Sequence, residues 1–154
     1  MSFSREAIFN ALFTQLTTYV PPLISPTVAT MSRRLVLAEG SPNPSIYLRE
    51  MDELYEEPGR GLPPKRILRA DIIIYSRIPN TDGTNPGGYY LNPLIDAVEA
   101  AMQTYTGSDI INNVLTLGGL CYRCWISGAV IKETGEIDAD LQGIAVMPVS
   151  ILVP

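Results

Sequence analysis

The chain has 154 residues, 46% of them hydrophobic and 18% charged, with a net charge of −5. That length suits one domain with its own core, and that balance excludes a mostly disordered chain. The acidic excess argues against a duplex-binding role, because such binding rests mainly on Lys and Arg neutralising phosphates.

The first predicted element is a helix from Ser4 to Tyr19. Ser4 can accept a hydrogen bond from a first-turn N–H, and Glu6 suits the positive end of the helix dipole. Phe9, Leu12, Phe13, Leu16 and Val20 recur at helical spacing, and Pro21 and Pro22 end the run. Arg33 to Ala38 alternates only modestly and reads as either a strand or a helix. Ser45 to Met51 reads as a strand, with Ile46 and Leu48 on one face and Tyr47 and Arg49 on the other. The acidic stretch from Glu50 to Glu57 reads as a solvated strand end and turn.

Arg66 to Ile78 is the clearest strand. Leu68, Ala70, Ile72, Ile74 and Ile78 share one face, and Arg69, Asp71, Ile73, Tyr75 and Arg77 share the other. A second helix is expected to start at Asn92 as N-cap, with Pro93 at the first helical position. Leu94, Val98, Ala101, Met102 and Tyr105 form its apolar stripe. The chain then forms a hairpin, Leu120 to Lys132 against Asp140 to Val153, turning through Gly135. Pro148 cannot donate a ladder bond, which predicts an edge strand or a bulge there. The order predicts an α+β domain over residues 1–154. Its mainly antiparallel sheet has four to five strands, two helices pack on one face, and a β-hairpin is C-terminal.

Two helices cover one face of such a sheet, and the other face should then be polar. Instead it carries Ile73 and Tyr75, then Trp125, Ala129 and Ile131. Both parities of the last strand are apolar: Ile144, Val146 and Leu152 against Ala145, Met147, Val149 and Ile151. Exposed apolar area beyond roughly a few hundred Å² marks a partner site. Neighbouring subunits are expected to cover it; the alternative is cover by the chain's own long loops. Nine Arg against two Lys, with eight Tyr and one Trp, lean the same way, since Arg, Tyr and Trp are enriched at interfaces.

The chain contains no histidine, which removes Ser-His-Asp and Cys-His catalysis and every His-containing metal site. Its acids fall in turns and strand ends, where solvated surface is the better reading than a two-carboxylate centre. Cys121 and Cys124 have redox spacing but lie within a predicted strand, away from the helix N-terminus such motifs use. Residues three apart on a strand point to opposite faces about 10 Å apart, whereas a disulfide needs Cα atoms within about 7 Å. Two packed, reduced thiols are expected, with no cofactor, no metal and no enzymatic role. Gly118-Gly119 precedes a strand and reads as a bend, and no phosphate-binding glycine motif is present.

The connection from Pro79 to Leu91 is long for a compact domain, and Tyr89 and Tyr90 at its end are candidate partner contacts; packing at the helix start is the alternative. Arg60, Lys65 and Arg66 give the preceding loop a basic character, either for a partner or as plain solvated surface. No run of apolar residues is long enough to span a membrane, and the start MSFSREAIFN lacks the pattern of a secretory signal, so a cytosolic protein with no membrane partner is expected.

Several segments in one order carry a family likeness: SRRLVL, PSIYLRE, GLPPKRILRADIIIYSR, LNPLIDAVEAAM, LTLGGLCYRCWISGAVIKETGEID and IAVMPVSIL. From Ser32 onward the chain resembles the tail terminator (tail completion) proteins of long-tailed, siphovirus-type bacteriophages. The resemblance implies a virion protein made in the host cytoplasm that forms a ring, a hexamer in that family, at the tail-neck junction. Such a ring stops polymerisation of the major tail tube protein and joins the head-side neck and connector proteins. DNA only passes through its lumen, where an acidic balance suits passage. A ring needs head-to-tail interfaces, for which the candidate residues are Arg69, Asp71, Tyr75 and Arg77, with Arg123 and Trp125 beside them. The rival readings are another neck or minor tail component, such as a head-side completion protein, and a non-viral cytosolic binding module. A thiol enzyme is the remaining rival.

Overall fold

The computed structural model describes residues 4–23, 30–34, 44–77, 86–134 and 142–153. The fold is α+β, as the element order predicts. Helix α1 spans Arg5–Tyr19, and Ser4 caps it by accepting the Ala7 N–H at 3.2 Å. Pro21–Leu23 forms a short 3₁₀ turn that ends the helix. Strands β1 (Thr30–Ser32), β2 (Ser45–Glu56) and β3 (Lys65–Arg77) follow, then helix α2 (Gly88–Met102) and strands β4 (Arg123–Ile126), β5 (Ile131–Glu133) and β6 (Gln142–Val153).

The sheet runs β1-β2-β3-β6-β4, with β5 also on β6. All pairings are antiparallel except β1 with β2. Both helices pack on one face. Leu68, Ala70, Ile72 and Ile74 of β3, and Ala145, Met147, Val149, Ile151 and Val153 of β6, meet Leu12 and Leu16 of α1 and Leu94 and Val98 of α2 in one core. Gln15 of α1 ties the helices together by donating to the Ala101 and Thr104 carbonyls at the end of α2, at 2.9 and 2.8 Å.

Four sequence expectations need correction. First, the acidic stretch is strand rather than turn: β2 continues to Glu56, and its register with β3 shifts between Glu50 and Glu53. A bulge of this kind turns the following residues over. Glu53 and Tyr55 therefore reach the helix side, where Arg5 of α1 donates to Glu53 Oε2 at 2.9 Å and to the Tyr55 hydroxyl at 3.0 Å. Arg33, just past β1, binds Glu6 and Asn10 of α1 and Glu50 of β2. The strand carries acids because arginines distant in sequence meet them there. These hydrogen bonds hold the Glu6 and Glu53 carboxyls below the usual range.

Second, α2 begins at Gly88, four residues before Asn92, and Pro93 lies inside the helix. Gly87 is the N-cap. Its φ of −57° suits any residue, but an added Cβ would stand 2.0 Å from the Thr134 carbonyl oxygen, so the site needs a glycine for space. Asn92 instead accepts from Lys132 Nζ at 3.3 Å.

Third, of the segment Arg33 to Ala38 expected as strand or helix, Arg33 and Arg34 form a bend, and strand β1 lies just before them at Thr30–Ser32; residues 35–38 lie outside the described residues, as do Ile78 and the Gly135 turn. Fourth, the arm expected from Leu120 to Lys132 is broken into β4 and β5, and β6 lies between β3 and these two strands. Pro148 is therefore not on an edge. Its carbonyl accepts from Ser127 N at 2.9 Å, in the gap between β4 and β5. A strand residue's N–H and C=O point the same way, so the missing donor falls where the neighbouring ladder is interrupted.

Candidate interaction surface

With α1 and α2 on one face, cross-strand register defines the other. Trp125 and Arg69 both lie opposite Ser150, Arg123 opposite Leu152, Asp71 opposite Pro148, Tyr75 opposite Ile144, and Arg77 opposite Gln142. The six predicted interface residues of β3 and β4 therefore share the helix-free face, as their parity requires. Strand β6 runs between the two groups.

That face is unevenly covered. Tyr47 and Ile73 are 1% and 6% exposed, so the chain itself shelters the β2–β3 part. Tyr75 contributes to this shelter, since its ring stands edge-on to Tyr47 with centroids 5.7 Å apart. Ile73 is thus not part of an open patch, contrary to expectation, and Ala129 lies in the gap between β4 and β5 rather than on a strand. The apolar surface lies further along the sheet. Ile144, Val146, Leu152 and Trp125 are half-buried, and Ile131, opposite Val146, is exposed.

Polar groups frame this flank. The Arg123 guanidinium sits over the Trp125 ring, 5.2 Å from its centroid. Arg69 donates to Asp52 Oδ1 at 2.7 Å, and Ser127 and Ser150 share a hydrogen bond of 2.6 Å. Arg77 is exposed at the end of β3. The remaining predicted contacts lie elsewhere. Tyr89 and Tyr90 stack edge-to-face in the first turn of α2, with centroids 5.2 Å apart, on the helix side. Arg60 is exposed in the turn between β2 and β3, and Lys65 faces Glu56 at 4.0 Å.

Cys121 precedes β4 and Cys124 lies within it; both are free, buried thiols in the single core. The expected separation to opposite faces does not occur, because Cys121 is in a bend rather than a strand. Burial pushes the Cys121 thiol up to about 12 and Cys124 well above its ordinary value. Thiolate, the reactive form, is therefore scarce at neutral pH. Gly118 and Gly119 do form the expected bend, both with left-handed φ of 71° and 88°.

Two surface features escape the sequence reading. The turn Asp109–Val114 exposes Ile110 and Ile111, and an apolar groove of about 480 Å³ opens beside the β2–β3 turn. The first had a signal in Asp-Ile-Ile-Asn-Asn, an apolar pair among turn-forming residues. Among the described residues, no helix is long and apolar enough to cross a membrane. No protein-family model matches the chain, and no curated protein matches it.

Proposed function

We propose that this chain is a structural subunit that assembles into a ring capping the end of a phage tail tube, where it stops tube growth and offers a surface to the head-side neck proteins. The observation that carries the reading is the half-covered flank of the helix-free face. Trp125 stacked under Arg123, which lies opposite Leu152, and Ile131, which lies opposite Val146 further along β6 with Ile144 beyond it, give this flank two apolar groups and an arginine border. Aromatic and arginine anchors of this kind dominate protein interfaces. The tail-terminator resemblance supplies the identity of the assembly, and the unreactive thiols favour a structural role over a thiol enzyme.

The reading is tested by the mass of the purified protein at several concentrations, followed by electron microscopy of tail tubes with protein added. Rings in solution, or density confined to tube ends, are expected. Arg77→Glu and Trp125→Ala should each weaken assembly tenfold or more while keeping the fold. A monodisperse monomer at every concentration that also ignores tube ends would overturn the proposal.

A further inference from the structure

The geometry points to a knob-and-socket contact between copies of this chain: the Ile110–Ile111 turn of one subunit seats in the groove beside the β2–β3 turn of the next. This rests on the ring reading and names the contact that closes the ring.

The knob is built to hold its shape. Asp109 and Val114 exchange backbone hydrogen bonds of 3.1 and 3.0 Å. The Asp109 carboxylate accepts the Asn112 backbone N–H at 3.1 Å and the Asn112 side-chain amide at 2.8 Å. Asn113 completes the loop in the left-handed region at φ 54°. This framework holds Ile110 and Ile111 at 64% and 92% exposure. Single exposed aliphatic residues need no explanation, but two adjacent ones at the tip of a rigid turn form a preorganised anchor. Asp109 is turned back onto Asn112, so its charge is held at the base of the turn.

The socket is preformed as well. The groove is walled by Pro58, Leu62, Pro63, Pro64, Tyr122 and Leu152. Its volume of about 480 Å³ falls in the roughly 300–1,000 Å³ range of ligand-sized pockets. The prolines fix their own φ, and Leu62 N donates to Gly59 O at 2.9 Å, so little order is lost when the groove fills. Leu62 and Tyr122 are largely exposed, Glu56 in the lining is matched by Lys65 at 4.0 Å, and Glu57 adds one further acid to it. An uncharged, apolar tip thus meets a groove whose walls are mostly apolar. Knob and socket share no residue, which is what a head-to-tail contact requires and a self-matching two-fold contact does not.

Sedimentation equilibrium across a concentration series tests the contact. Ile111→Asp and Leu62→Arg each change an exposed side chain, so both should keep the parent's melting temperature. Each should weaken self-association at least tenfold, and the double variant should be no worse than the weaker single, because the two changes break one contact. Ile111→Cys protein mixed with Leu62→Cys protein should oxidise to a cross-linked dimer, while neither does so alone; the native thiols are buried. If the parent assembles and Ile111→Asp assembles with the same affinity, the knob is wrong and the ring stands. If Ile111→Cys cross-links to itself as well as the mixture does, the contact is two-fold and the socket is wrong. A parent that stays monomeric at every concentration removes both the ring and this contact.

Discussion

Tyr47 offers a sharp test of the packing. Its ring is fully buried beneath the helix-free face, yet its hydroxyl is sealed from solvent with no hydrogen-bond partner among the described residues. A buried donor left unpaired costs about 1–3 kcal/mol in desolvation. Tyr47→Phe removes that hydroxyl and keeps the ring, including its edge-on contact with Tyr75 at 5.7 Å. The substitution should therefore stabilise the fold by about 1 kcal/mol, the lower end of that range, since small adjustments recover part of the penalty in the parent. For a domain of this size that corresponds to a rise in melting temperature of roughly 2–4 °C. Urea denaturation and calorimetry, run on parent and variant at one concentration, measure it. Tyr47→Ala serves as the control and should lose about 3–5 kcal/mol through the cavity it opens. A Tyr47→Phe protein less stable than the parent would refute the reasoning, because it would mean that the hydroxyl is bonded, to a sealed water for example.

Gly87→Ala should destabilise the protein by about 1–3 kcal/mol, the usual range for overpacking, read as a lower urea midpoint, because its new methyl group meets the Thr134 carbonyl and no side chain can yield. Glu6 and Glu53 have carboxyl pKa values held below the ordinary 4.5. Their contribution is present above that value and fades as pH falls through the lower folded-state values. Thermal melts from pH 6 to 3 should fall less steeply in Arg33→Gln than in the parent, and salt should narrow the difference, as it does for exposed ion pairs. The buried thiols act at the other end of the scale. Cys121 adds stability below its unfolded value of 9.0 that is lost as pH rises towards about 12, so Cys121→Ala should flatten the alkaline fall in melting temperature.

Elements whose signals are local could be read from the sequence. The Ser4 cap and the apolar spacing of α1 are contained in one stretch, and the β-branched run of β3 declares a period of two by itself. Misreadings arose where a distant residue decides. Acids in β2 looked like a turn because their partners Arg5, Arg33 and Arg69 are far away in sequence. The need for glycine at position 87, just before α2, comes from Thr134, more than forty residues on. In β6 the apolar parity was visible, but Pro148 suggested an edge because the break between β4 and β5 that accommodates it has no sequence marker. The candidate surface was partly legible: parity placed Arg69, Tyr75, Arg123 and Trp125 on one face. The burial of Ile73 was not, since alternation does not report side-chain contacts such as the one between Tyr47 and Tyr75 on the same face.

The central position of β6 has a consequence for synthesis. Among the described strands, β6 alone links β1-β2-β3 to β4 and β5, so the two halves cannot join until residues 142–153 emerge from the ribosome. At translation speeds of roughly 5–20 residues per second, the stretch between β3 and β6 takes about 3–13 s to make. During that wait the inner margin of β3, rich in isoleucine, has no neighbour strand and can pair with another nascent chain. The growing polypeptide is thus most prone to misassociate before β6 is complete, and nascent-chain chaperones that hold β3 should raise its yield.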